Sequence, residues 1–313
     1  MAKADVIAIE EHFATPELQA LSNDGIRQGP VFERLNDLGE LRIREMDGAG
    51  IDLQVLSETA PAAQAFQPDV AVRMARRSND YLHAAIKAHP DRFAGFAALP
   101  TPDPAAAANE LERAVDKLGF KGAMIMGQTG GRLFLDKQQF WPIFERASAL
   151  DVPLYIHPGT PNTAVDDVFY KDYPILSRAA LGYTVEAVTH GARIIVSGVL
   201  DRYPNLKIIL GHLGEAIPFL LWRIDNGITR QTKLPRSFTD YFREHFYITT
   251  SGALSNSALV CSIAEMGVDR IIFAADWPYQ QNVPARKFID AAPISEHDRK
   301  LILSGNARKL LRL

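Results

Sequence analysis

Apolar and polar positions alternate with two different periods along the chain. Short runs rich in Val, Ile, Leu and Phe are each followed by a Gly, Pro or polar loop, and then by a longer stretch whose apolar residues recur every third or fourth position. The short runs predict strands at Val6–Glu10, Leu53–Ser57, Phe93–Ala98, Gly122–Met126, Pro153–His157, Leu206–Gly211, Phe246–Thr250 and Arg270–Ala275. Helical period is carried between them by stretches such as "PDVAVRMARRSNDYLHAAIKAH", "DPAAAANELERAVDKLG", "KQQFWPIFERASAL" and "VEAVTHGARIIVSGVLDRY". Near-continuous apolar strands alternating with helices indicate a parallel sheet covered on both faces. Eight such units predict an α/β fold of the (β/α)8 TIM-barrel type, ahead of an open doubly wound sheet. Leu18–Leu41 and Gly127–Leu135 fall outside the repeat and are expected as loops or short helices over one mouth. With no linker or internal repeat, residues 1–313 are expected to form one domain.

Composition narrows the ligand class. Apolar residues make up 47% of the chain and charged residues 23%, enough to bury a large core. The net charge is -3 with no run of Lys or Arg, which argues against nucleic acid or an anionic membrane as partner and leaves a small molecule. Cys261 is the single cysteine, so no internal disulfide or thiolate metal cage can form, and its place in the helical "SALVCSIAEMG" makes it a poor nucleophile. No secretory signal or membrane-length apolar stretch is visible, and a cytoplasmic location is expected.

The polar residues of interest stand where the apolar runs stop. In "VIAIEEHFAT" Glu10 and His12 are alternate residues of one strand, so their side chains share a face. Both are costly to bury unpaired. In a barrel, functional groups project from the C-terminal strand ends. "VPLYIHPG" ends a strand with His157, "LKIILGHLGE" with His212 and then Glu215, and "RIIFAADWPY" with Asp276. Glu10, His12, His157 and Asp276 make an oxygen and nitrogen donor set suited to zinc or manganese, with magnesium less favoured by the imidazoles. His212 and Glu215 remain for acid/base work.

Each of these residues also has a structural explanation. A lone strand-end His is more often a hydrogen-bonded structural residue, Asp276 before "WP" is a good helix N-cap, and Glu215 complements a helix dipole. Packing alone does not explain acids and imidazoles at four strand ends around one mouth. His83 and His190 lie within helical stretches and His89 ends one, so packing or surface roles fit them better. Thr250 and Ser251 of "HFYITTSG" have no adjacent base. "MGQTGGRL" lacks the Lys and Ser/Thr of a phosphate loop and the dinucleotide spacing, so no organic cofactor is expected.

The motifs "EEHFATPE", "YIHPG", "GHLGEAIPFLLWRID", "ITTSG" and "FAADWPY", together with the closing "GNARKLLRL", resemble the metal-dependent decarboxylase branch of the amidohydrolase superfamily. That branch includes gamma-resorcylate, 2,3-dihydroxybenzoate and, more distantly, aminocarboxymuconate-semialdehyde decarboxylases. The resemblance implies one divalent metal held by Glu10, His12, His157 and Asp276, with His212 and Glu215 beside the substrate. It also implies a homodimer or homotetramer. Tyr279 and Tyr183 would flank the substrate ring. Arg223 is about 12 Å along a helix from Glu215, which points it to a neighbouring subunit or to an ion pair with Asp225. Met126 stands near where the decarboxylases carry an Asn, and a thioether pairs only weakly with a ring hydroxyl. A salicylate therefore weighs equally with a dihydroxybenzoate as substrate.

Hydrolytic members of the superfamily generally show His-x-His on strand one and often a carboxylated Lys ending strand four; here strand one ends Glu-x-His and Lys121 sits at the wrong end of its strand. The expected reaction is therefore non-oxidative decarboxylation of a 2-hydroxybenzoate-type acid to a phenol and CO2, reversible as phenol carboxylation. Either Asp276 or His212 would supply the proton. Metal-assisted hydrolysis of a lactone or amide is the second reading, hydration of an unsaturated acid the third. A non-enzymatic ligand-binding barrel would hold no metal.

Overall fold

A computed structural model describes residues 5–21, 29–232 and 234–313. Its strands are β1 (Ile7–Phe13), β2 (Leu53–Glu58), β3 (Phe93–Gly95), β4 (Ala97–Ala98), β5 (Ala123–Met126), β6 (Leu154–His157), β7 (Ile208–Leu210), β8 (Phe246–Thr249) and β9 (Ile271–Ile272). Every paired neighbour is parallel, in the orders β1-β2-β3 and β4 through β9. β3 and β4 share one barrel position, broken at Phe96, whose N–H donates to Leu56 O while that of Ala97 donates to Gly122 O. Eight positions result, as expected of a (β/α)8 barrel. The helices between them include α1 (Glu40–Ala49), α2 (Pro68–Ala88), α3 (Pro104–Leu118), α4 (Trp141–Leu150), α5 (Gly182–Val196), α6 (Ile217–Thr229), α7 (Phe238–His245), α8 (Asn256–Met266) and α9 (Asn282–Ala291).

Strand alternation separates two apolar shells. Ile7, Ile9, Val55, Phe96, Met124, Tyr155, Ile209, Tyr247 and Ile272 fill the barrel interior. Ala8, Leu56, Ile125, Leu154, Ile156, Ile208, Leu210, Phe246, Ile248 and Ile271 face the helices. Burying a side chain of this size stabilises the fold by roughly 1.5–3 kcal/mol. Among the described residues no helix is long and apolar enough to cross a membrane.

Several boundaries differ from the sequence expectation for physical reasons. The last strand stops at Ile272 rather than Ala275, because the following amides leave the ladder: Phe273 N–H donates to Ile302 O, Ala274 N–H to Thr250 Oγ1 and Ala275 N–H to Glu11 Oε1. The long helix expected up to Tyr203 is two helices, Gly182–Val196 and Val199–Arg202, divided by Gly198 in the left-handed region at φ 81°. Within the expected loop Leu18–Leu41, short helices run Pro16–Leu21 and Pro30–Asn36, and residues 22–28 lie outside the described set.

One local irregularity decides what the barrel presents at its mouth. β1 pairs with β2 as Ile7 to Leu53 and Ala8 to Gln54, but Glu11 pairs with Leu56, so Ile9 and Glu10 together oppose Val55. Such a bulge inserts one residue and reverses the side-chain parity beyond it. Ile9 and Glu10 thus both turn inward, His12 follows Glu10, and Glu11 is sent outward toward α1.

Candidate active site

The bulge in β1 puts Glu10 at the base of the mouth, fully buried. Its Oε2 accepts three hydroxyls, from Tyr155, Thr249 at 2.8 Å and Ser251. Its Oε1 has no hydrogen-bond partner and faces His157 Nε2 at 3.4 Å and His212 Nε2 at 3.6 Å. Burial and the Glu10 charge push the Tyr155 hydroxyl well above its usual range, so it stays a donor.

His12, two residues on, turns Nδ1 toward Ser57 Oγ at 3.3 Å and leaves Nε2 without a hydrogen bond, 3.2 Å from Asp276 Oδ1. At the end of β6, His157 donates from Nδ1 to Pro158 O at 2.7 Å, which fixes Nε2 as the free lone pair. Burial and the neighbouring His12 lower its pKa to about 4, so the ring is neutral. Asp276 follows β9 in the left-handed region at φ 74°, where a non-glycine residue is strained. Burial opposes its charge, yet the adjacent His12 and His212 imidazoles hold the carboxyl below its usual range. The ligand atoms of Glu10, His12, His157 and Asp276 all lie within 4.8 Å of one another. Three of those atoms, Glu10 Oε1, His12 Nε2 and Asp276 Oδ1, are buried without a hydrogen bond. Orphaned ligand atoms of this kind are costly unless an ion satisfies them, and two carboxylates with two imidazoles suit a divalent cation.

Above this cluster stands a titratable pair. His212 Nδ1 is 2.8 Å from Glu215 Oε1, and Thr184 Oγ1 donates to Glu215 Oε2 at 2.7 Å. The turn that carries the pair holds His212 and Glu215 at φ 52° and 57°. Burial disfavours a charged His212, but Glu215, Glu10 and Asp276 together outweigh it and hold its pKa well above the usual range. His212 Nε2 reaches to 4.0 Å from Asp276 Oδ2. Gly252, at φ +60°, lies flat against this ring, since a Cβ there would come 2.9 Å from His212 Cδ2.

Behind the cluster a buried polar network closes the barrel. No ladder joins β9 to β1 among the described residues. Instead His12 N–H donates to Trp277 O at 2.7 Å, and the Glu11 carboxylate accepts Ala275 N–H at 2.9 Å and Trp277 N–H at 3.1 Å, one on each side of Asp276. Arg42 of α1 donates to His12 O at 2.6 Å, lies 4.0 Å over the Trp277 ring, and reaches Glu11 through Gln54. Burial pushes the Glu11 carboxyl up to about 8 and the Arg42 guanidinium down to about 9, each against the pull of the other's charge.

The cluster and the pair open into one cavity of about 690 Å³. Its walls include Thr59, Gln64, Met126, Gln128, Arg178, Tyr183, Gly252 and Tyr279, and Tyr279 is fixed by a 2.6 Å hydrogen bond to Thr59. The Amidohydrolase family profile matches residues 12–313 of the sequence. The chain belongs to the amidohydrolase family. The gamma-resorcylate decarboxylase of Polaromonas sp. (strain JS666) is 42% identical over 321 residues, spanning 98% of each chain. A solved 2,6-dihydroxybenzoate decarboxylase complexed with 2,6-dihydroxybenzoate superposes with a TM-score of 0.92 at 40% identity, over 99% of both chains. The Polaromonas dihydroxybenzoic acid decarboxylase, solved with bound manganese and the inhibitor 2-nitroresorcinol, gives 0.93 at 41% identity, over 99% of this chain and 98% of that one.

In this amidohydrolase the structure brings Glu10, His12, His157, Asp276, His212 and Glu215 together, with Tyr183, Tyr279 and Met126 on the cavity wall. Arg223 is not among them. It lies exposed on α6 and lines a separate groove of about 410 Å³. Nor does it pair with Asp225, which instead accepts from Thr229, Phe238 N–H and Thr239. Thr250 binds Ala274 O rather than the site, while Ser251 serves Glu10. His190 accepts from Leu135 N–H in the packing layer, as its helical position implies. Glu11, Tyr155, Thr249, Gln64 and Gln128 have no motif of their own; the parity of Tyr155 with His157 and of Thr249 with Tyr247 is the signal that places two of them inside.

Proposed function

We propose that this amidohydrolase carries out the metal-dependent, non-oxidative decarboxylation of a 2-hydroxybenzoate-type aromatic acid to a phenol and CO2, reversible as phenol carboxylation. The observation that carries the reading is the set of buried, unpartnered ligand atoms beside a cavity of ring size, with an acid/base pair on its wall. The aromatic acids and manganese bound by similar decarboxylases agree with it. Glu10, His12, His157 and Asp276 would hold one divalent ion, manganese or zinc ahead of magnesium. The bound ion supplies Lewis-acid stabilisation of negative charge on the substrate oxygens.

Decarboxylating an aryl acid directly would leave an electron pair in the ring plane, so a proton must first add to the carboxylate-bearing carbon. His212 holds that proton at Nε2, steadied by Glu215 and Thr184. Either His212 or Asp276, whose Oδ2 lies 4.0 Å from that nitrogen, delivers the proton to the ring carbon. The bond to the carboxylate then breaks, CO2 leaves, and its electron pair restores the aromatic ring. Tyr183 and Tyr279 flank the ring, and Met126 contacts its edge.

The chain is proposed to work as a single catalytic domain, cytoplasmic, and as a homodimer or homotetramer. Phe219 and Trp222 on the outer face of α6 are 82% and 76% exposed, beside Arg223, which fits a surface covered by another copy. A monomeric sedimentation mass would contradict that assembly. The function itself is tested by incubating manganese-loaded protein with hydroxybenzoates and measuring CO2 and phenol; lactone or amide hydrolysis without CO2 release would replace the reading. His157→Ala should lose the ion and the turnover while keeping its circular dichroism, and unchanged turnover would remove His157 from the ligand set.

A further inference from the structure

Two side-chain amides on the cavity wall each leave one polar atom unpartnered among the described residues. Gln64, on the loop after β2, is 2% exposed, lines the cavity, and leaves Nε2 buried without a hydrogen-bond acceptor. Gln128, on the loop after β5, lines the same cavity and leaves Oε1 buried without a donor. Gly130 N–H donates to Gln64 O at 3.1 Å, and Thr101 and Thr129 share a 2.6 Å hydrogen bond, so both loops are held in place. In barrel order these loops stand across the mouth from β7 and β9, whose ends carry His212 and Asp276. An unmet donor and an unmet acceptor in one walled cavity are stabilised by a ligand group that both gives and takes a hydrogen bond. A hydroxyl does both through a single oxygen. Rotation of both amides together exchanges donor and acceptor and keeps the complementarity.

We propose that Gln64 and Gln128 form a polar subsite that selects an aromatic acid bearing a hydroxyl beyond the one ortho to its carboxylate. The proposal rests on the decarboxylase reading and deepens it, assigning ring selectivity to these two residues, with the Met126 thioether beside them contributing bulk rather than polarity. A ring without that hydroxyl leaves both amides unpaired, and a methoxy group leaves the Gln128 oxygen without a donor. Removing either Gln side chain therefore alters discrimination between ring substituents.

The test uses manganese-loaded parent, Gln128→Met and Gln64→Met, which replace the amides with side chains of similar length. kcat/KM is measured on 2-hydroxybenzoate and on the 2,3-, 2,4-, 2,5- and 2,6-dihydroxybenzoates, and equilibrium binding on phenol, catechol, resorcinol and hydroquinone. The parent is expected to favour at least one dihydroxy compound by tenfold or more in both measurements. Each folded variant is expected to bring that ratio toward one. Should Gln64→Met fail to fold, Gln128→Met alone decides. Equal binding of phenol and all three dihydroxybenzenes by the parent, or an unchanged preference in the variants, overturns the subsite. Selective binding that is lost in the variants, without turnover of any acid, upholds the subsite and overturns decarboxylation instead.

Discussion

Replacing Glu11 by Gln tests whether the barrel seam, as well as the four ligands, builds the metal site. Gln is close to Glu in volume, so the change isolates polarity. The carboxylate uses one oxygen for Ala275 N–H and the other for Trp277 N–H, at 2.9 and 3.1 Å. An amide can accept only one of them and turns its NH2 toward the other. The buried backbone N–H left without an acceptor costs about 1–3 kcal/mol. Unfolding entropies of about 2.1 cal/mol/K per residue translate that range into a fall in Tm of roughly 2–5 °C for a chain of this size. Because the lost contact lies next to Asp276, whose φ of 74° needs external support, the ligand should also become less well held. Manganese affinity is therefore expected to fall on the order of tenfold or more, as for other residues that orient metal ligands. Thermal unfolding of metal-free protein and titration with manganese measure the two effects separately. A variant within 1 °C of the parent, with unchanged manganese affinity, would refute the claim that Glu11 closes the barrel and positions Asp276.

Two further outcomes are expected at His212. Gly252→Ala places a Cβ 2.9 Å from the imidazole at a backbone φ of +60°, so the ring must shift; manganese binding should persist while kcat falls about tenfold or more, and an unaltered kcat would show that the ring position does not matter. Glu215→Gln removes a carboxylate that helps raise the pKa of His212. A raised pKa keeps the imidazolium to higher pH, and activity that depends on its proton is lost as pH rises through that value. In the variant the loss should set in at lower pH with the acid side of the profile unmoved, and a basic limb that stays in place would exclude His212 as the titrating acid.

Much of this site was legible because its residues end apolar runs. His157 closes β6, and His212 and Asp276 lie just beyond β7 and β9, where a barrel displays its chemistry whatever the details of packing. Glu10 and His12 were read correctly as sharing a face, but the choice of face was not available from local pattern. With Ile7 and Ile9 inside the barrel, strict alternation would send Glu10 toward the helices and draw Glu11 into the mouth. The bulge opposite Val55 reverses that order. It is a property of how β1 pairs with β2, and the composition of β1 alone does not encode it. The same reversal explains Glu11: once turned outward, it meets Gln54 and the amides on either side of Asp276, the latter 264 and 266 residues away in sequence. Arg223 shows the converse limit. Its motif is contiguous with Glu215, yet α6 carries it away from the cavity to a separate groove. Motifs on one strand end report a site directly, whereas a motif extended along a helix reports it only as far as the helix stays beside the mouth.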